Sequence, residues 1–160
     1  MKFRTASKFR HANPKIAADK TKQWYLDIQH APSGTLVAAS LTTLAVNWKT
    51  QSGAIALISL SNTGKRDAEQ TNMVHGHSKQ IFDVKFAPFD RFQFATGSDD
   101  CTVKVWQIPD DDNLSGTTEI ASLSGHKRGV NCIEYNPSFA NVLASGSADG
   151  TVRVWSVTEQ

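Results

Sequence analysis

The chain has 160 residues, 39% of them hydrophobic, and a formal net charge of +2; this is one domain's worth of polymer, able to bury a core and too weakly charged to act as a polyelectrolyte. Its two cysteines, Cys101 and Cys132, have unrelated spacing, which argues against a disulfide framework or a thiolate zinc site and fits a reducing compartment. The longest apolar run, Ala54–Leu60, is interrupted by Ser59. It falls far short of the roughly 20 residues of a membrane span, and no apolar stretch follows the basic N-terminus to make a secretory signal.

Residues 1–23 read as a basic extension, the alternative being a closing strand of the last blade at Ser7–His11. Lys2, Arg4, Lys8, Arg10, Lys15, Lys20 and Lys22 face one acid, Asp19, so this segment carries about +6 and the remainder about −4. Such asymmetry suits a contact with an acidic partner, although a solvated tail has the same composition and charge alone does not choose among protein, nucleic acid and anionic lipid. Residues 24–60 read as four short strands, at Tyr25–Ala31, Leu36–Ser40, Leu44–Trp48 and Ala54–Leu60. Residues 61–74, SNTGKRDAEQTNMV, are polar and read as a connector.

Residues 75–123 read as four strands. Ile81–Ala87 ends at Pro88; Phe92–Ser98 runs into the turn Asp99-Asp100; Thr102–Ile108 alternates Val, charge, Val, Trp; Thr117–Leu123 follows the turn-forming Pro109–Asp112. Residues 124–160 repeat the first three of these. Gly76–Ile108 aligns with Gly125–Val157 without a gap, and 11 of the 33 positions are identical, including Gly-His, the prolines, the turn aspartates and Trp106/Trp155. Four antiparallel strands, with Gly-His ahead of the first and Trp closing the third, make one blade of a WD-repeat β-propeller. Residues 24–60 are then a degenerate first blade in which Trp48 stands for Trp106 and the turn Leu41-Thr42-Thr43 lacks the aspartate.

The repeated letters have a physical purpose. The Trp155 indole N–H needs an acceptor, which Ser145 or Ser147 offers. His126 takes the hydroxyl proton on one ring nitrogen and donates from the other to Asp149. Trp106, Thr96 or Ser98, His77 and Asp100 are the same set one blade earlier. These residues therefore read as framework, not as catalysts or metal ligands. His75 beside His77 has no third ligand at suitable spacing, and Asp110-Asp111-Asp112 reads as a solvated turn without the spaced ligands of a calcium loop. Phosphate-cradling glycine loops, His-Glu-x-x-His, Cys-x-x-Cys and nucleophile elbows are absent from the sequence. The expectation is a binding protein without cofactor, metal or catalytic residues.

The fold expected is all-β: an incomplete WD-repeat propeller whose third blade lacks its outer strand. Closed propellers have about 4–8 blades, so residues 1–160 are expected to be the N-terminal part of a longer one. Phe3-Arg4, Ser7-Lys8-Phe9-Arg10-His11, Tyr25-Leu26-Asp27-Ile28 and Ser61–Lys65 resemble the coronins, a family of actin-binding WD-repeat proteins. The resemblance is strongest over Gly76–Pro109, above all in Asp100-Cys101-Thr102-Val103 and Val105-Trp106-Gln107-Ile108-Pro109. It implies seven blades and a cytoplasmic, cytoskeletal protein that binds actin filaments. It also implies contact with the actin-related branching complex through a C-terminal coiled coil that lies outside these residues. Nucleic acid is not an expected partner, and no integral membrane segment is expected. Coronins place an arginine just after Tyr-x-Asp-Ile in a position tied to filament binding; here it is Gln29. Lys2, Arg4, Lys8, Arg10, Lys15, Lys20, Lys22 and position 29 are the candidate actin contacts. The rival reading is a generic WD-repeat scaffold for a complex unrelated to actin.

Overall fold

A computed structural model describes residues 24–25, 35, 37–47, 53–61, 64–65, 71–109 and 113–157. Within them the chain is all-β apart from one 3-10 turn at Leu114–Gly116. The strands in order are β1 (Trp24–Tyr25), β2 (Val37–Ala39), β3 (Thr43–Asn47), β4 (Ala54–Ser59), β5 (Gly64–Lys65), β6 (Asn72–His75), β7 (Ile81–Phe86), β8 (Gln93–Ser98), β9 (Thr102–Gln107), β10 (Thr118–Ser124), β11 (Val130–Tyr135), β12 (Val142–Ser147) and β13 (Val152–Ser156). Three antiparallel sheets follow one another, ordered β2-β3-β4-β6, β7-β8-β9-β10 and β11-β12-β13, and β1 pairs with β5 in parallel.

Each sheet is a meander of antiparallel neighbours, and in the first sheet β5 intervenes in the chain between β4 and β6. The second and third sheets have the same register: Phe94 pairs with Trp106 as Leu143 pairs with Trp155. Each inner strand carries a bulge, between Ile81 and Asp83 in β7 and between Val130 and Cys132 in β11. The sheets stack face to face. Ile55, Leu57, Val74, Ile81, Val84, Phe94, Trp106 and Ile108 fill the first seam, and Leu114 joins them from the 3-10 turn. Val103, Val105, Val130, Ile133, Tyr135 and Leu143 fill the second. The three sheets are thus blades of an incomplete WD-repeat propeller.

The first blade differs from the sequence reading. Its fourth strand is β6, which starts within the stretch 61–74 read as a connector and ends at His75, and its first described strand begins at Val37. Ala54–Ser59, read as the outer strand, is third in the sheet and buried along nearly its whole length, as a continuous apolar run demands when both faces are covered. The outer strand NMVH touches the two cores through Val74 and Met73 alone, with Asn72 and His75 exposed, and so carries little apolar signal. Leu44 pairs with Ile58, so Ile58 holds the place of Trp106; Trp48 follows the second strand and lies outside the described residues.

Candidate functional site

Two polar chains run through the second and third blades. In the second, the Trp106 Nε1–H donates to Thr96 Oγ1 at 2.9 Å, and Thr96 Oγ1 lies 2.7 Å from His77 Nε2. His77 Nδ1 is 2.8 Å from Asp100 Oδ2, and the Thr102 hydroxyl donates to Asp100 Oδ1 at 2.6 Å. Thr96 has accepted from the indole, so its own proton goes to Nε2, and the imidazole donates from Nδ1 to the carboxylate. In the third blade Trp155 Nε1–H donates to Ser145 Oγ at 2.8 Å. His126 Nε2 meets the same oxygen at 2.8 Å and Nδ1 meets Asp149 Oδ2 at 3.1 Å. Thr151 donates to Asp149 Oδ1 at 2.6 Å. The imidazoles approach the indoles edge-on, with centroids 6.4 and 6.2 Å apart.

Burial dominates His77 and holds its pKa below the ordinary value, against the opposing pull of Asp100. For Asp100, burial pushes the carboxyl up, but the bonds from Thr102 and His77 together outweigh it and leave it below the usual range. Asp149 is held well below that range, first by the Thr151 hydroxyl and then by the Lys127 N–H. Both ring nitrogens of each histidine are engaged and the rings are buried, so neither faces a substrate as acid or base.

Ser98 and Ser147, the alternative hydroxyls, lie off these chains. Ser98 Oγ donates toward the carbonyls of Lys79 and Gln80, at 3.2 and 2.9 Å, and accepts from the Asp100 N–H at 3.2 Å. Ser147 Oγ donates to the Arg128 carbonyl at 2.9 Å and accepts from the Asp149 N–H at 3.1 Å. They brace the turn and the loop above it. The candidate contacts Lys2, Arg4, Lys8, Arg10, Lys15, Lys20, Lys22 and Gln29 all lie outside the described residues.

Sequence reasoning missed the links between blades. The Asn47 side-chain amide donates to the Ile81 carbonyl at 2.5 Å. Asp83, buried and without an ion-pair partner among the described residues, accepts the Val84 N–H through Oδ1 and the Ile133 N–H through Oδ2, both at 2.9 Å. Cys132 holds the position of Asp83 in the third blade and is exposed; the repeat does not preserve this residue, so alignment carried no signal for it. Thr102 and Thr151, as anchors of the turn carboxylates, were visible as an identical pair. The turn Leu41-Thr42-Thr43 was assigned to the wrong place. It joins the first and second strands of its sheet, where Ser40 Oγ accepts the Thr42 and Thr43 N–H groups at 3.3 and 3.1 Å, whereas the aspartate turns join the second and third.

Residues 68–107 and 117–156 match the WD domain, G-beta repeat family, and residues 2–65 match a domain of unknown function, DUF1899. The chain belongs to the WD-repeat family. Within it the likeness is to coronins. The chain is 34% identical over 111 residues to a coronin-like protein of Saccharomyces cerevisiae, covering 68% of this chain and 17% of the relative. It is 36% identical over 106 residues to coronin-7 of Bos taurus, covering 64% of this chain and 11% of the relative. It superposes on the crystal structure of the WD40 domain from Toxoplasma gondii coronin with a TM-score of 0.72 at 32% identity, covering 82% of this chain and 34% of that one. The chain therefore spans under a fifth of these curated relatives and about a third of the solved domain.

Proposed function

We propose that this chain is the propeller portion of a coronin-like regulator of actin filaments, a cytoplasmic, cytoskeletal protein that acts by binding and not by catalysis. The observation that carries the reading is the likeness to a coronin WD40 domain over 82% of the chain at 32% identity, together with relatives that are coronins. The relay chemistry supports it: the recurring His, Asp and Trp are consumed in bracing the strands and turns of each blade, which leaves surface recognition as the available activity. Contact with the actin-related branching complex belongs to the same reading and would use parts outside these residues.

The basic extension is the first candidate for filament contact. Individual exposed ion pairs are weak, but several together give affinity that falls with salt. The test is co-sedimentation of the Lys15→Glu, Lys20→Glu, Lys22→Glu triple variant with actin filaments. A steep, salt-dependent loss with the fold retained supports the extension as the contact; unchanged binding places the contact on the blades. Gln29→Arg is the companion variant and is expected to tighten binding. A generic WD-repeat scaffold predicts no filament binding by the parent chain.

A further inference from the structure

The loop that joins each Gly-His pair to its inner strand is tied at both ends through its backbone. In the second blade the Ser78 N–H donates to Asp100 Oδ2 at 3.1 Å, and the next two carbonyls accept from Ser98 Oγ. In the third the Lys127 N–H donates to Asp149 Oδ2 at 2.9 Å, and the Arg128 carbonyl accepts from Ser147 Oγ. The relay aspartates and the bracing serines thus fix the loop while Lys79, Lys127 and Arg128 stand exposed.

Asp99, in the turn between β8 and β9, bridges the two loops. Asp99 Oδ2 lies 3.4 Å from Lys79 Nζ, and a Cβ added to Gly129 would fall 2.7 Å from Asp99 Oδ1. The acids of this face are already engaged: the Asp100 and Asp149 side chains are only 9% and 8% exposed, and Asp99 is shared with Lys79. Lys127 and Arg128 have no ion-pair partner among the described residues. The result is a basic ridge on two blades whose loop backbone is already tied down, with Asp99 between the two loops.

We propose that Lys127 and Arg128, with Lys79 beside them, dock on an acidic protein surface. Resting on the filament reading above, the ridge is assigned to the actin filament. Two unpaired cations with a carboxylate between the loops suit discrete acidic side chains better than the continuous phosphate charge of nucleic acid. Because the loop backbone is already ordered, binding costs little further entropy there.

The test is co-sedimentation of the full chain and its Lys127→Glu/Arg128→Glu variant with actin filaments at low and physiological ionic strength. Near-UV circular dichroism and the unfolding midpoint check that the fold is kept; the loop is held by main-chain atoms, so both are expected to be unchanged. The double reversal is expected to weaken binding about tenfold at low ionic strength, with a smaller loss as salt screens the contact. Lys127→Ala/Arg128→Ala, which deletes charge without adding any, is expected to give a smaller loss in the same direction. Undiminished binding by the variants alongside a parent chain that binds overturns the ridge and leaves the filament reading intact. A folded parent chain that does not bind filaments overturns both. Binding to duplex DNA as tight as to filaments overturns the choice of a protein surface.

Discussion

The hydroxyl at Thr96 sits between two buried donors and acceptors, and this makes its chemistry separable from its volume. Thr96→Val keeps the shape but leaves the Trp106 indole N–H and His77 Nε2 without their partner. It is expected to cost about 1–3 kcal/mol, the penalty of stranding buried polar groups. Thr96→Ser keeps the oxygen, as the third blade does at Ser145, and is expected to cost less; denaturant unfolding of both variants checks the order. The titration of the same relay has a defined sign. His77 is held below its ordinary 6.5, so as pH drops through that value the unfolded chain takes up protons first and stability falls. Asp100 is held below its ordinary 3.8, so a second loss follows near and below that pH. Stability is expected to be fullest above pH 6.5. A free energy of unfolding that stays level from pH 7 to 5 contradicts the reading of His77, and His77→Asn should remove the first step. At this scale Trp, His and Asp were legible because they recur at fixed spacing. The choice between Thr96 and Ser98, or Ser145 and Ser147, was not. Residues two apart on a strand share one face, and only the distance to the imidazole separates the relay member from the loop brace.

The second and third sheets were readable because apolar alternation, a Pro after the first strand and an Asp turn after the second occur twice in register. The first sheet was displaced by one strand. The apolar run Ala54–Ile58 marks a strand covered on both faces but not its rank in the sheet, and the outer strand Asn72–His75 is too short and polar to announce itself. The aspartate turns offer a direct test of backbone strain. Cys101 has φ 72° where the equivalent Gly150 has φ 79°, a region that costs an L-residue roughly 1–2 kcal/mol. Cys101→Gly is expected to leave stability unchanged or raise it by up to about 1 kcal/mol, whereas Gly150→Ala should lower it by about as much; thermal unfolding of the pair reads both signs. The seam between the second and third sheets depends on Asp83, which accepts from Ile133 across it. Asp83→Ala leaves that N–H buried and unpaired and is expected to cost about 1–3 kcal/mol. Cys132→Ala, at the same position of the third sheet, should stay within about 0.5 kcal/mol. Equal costs at the two positions contradict the seam.

The whole molecule is a stack of blades, each needing a neighbour on both faces. The first blade is buried on both sides, with Val46, Ala56 and Ile58 forming a second cluster opposite the first seam. The third shows Val152 and Val154 at 75% and 70% exposure on strand β13. That strand is also the edge of its sheet, and such an edge pairs readily with other chains. Val152→Lys/Val154→Lys is expected to raise the monomer fraction of the isolated chain in sedimentation velocity, and an unchanged distribution counts against edge pairing as the route of association. Blade architecture was legible from the repeat, and the surface was not, because what a folded face offers a partner depends on which charges the fold has already paired. Direct co-sedimentation of the full chain with actin filaments, corrected for what pellets without them, tests the central claim most directly. Saturable binding that weakens as salt rises is expected. A folded chain that stays in the supernatant at every ionic strength contradicts it.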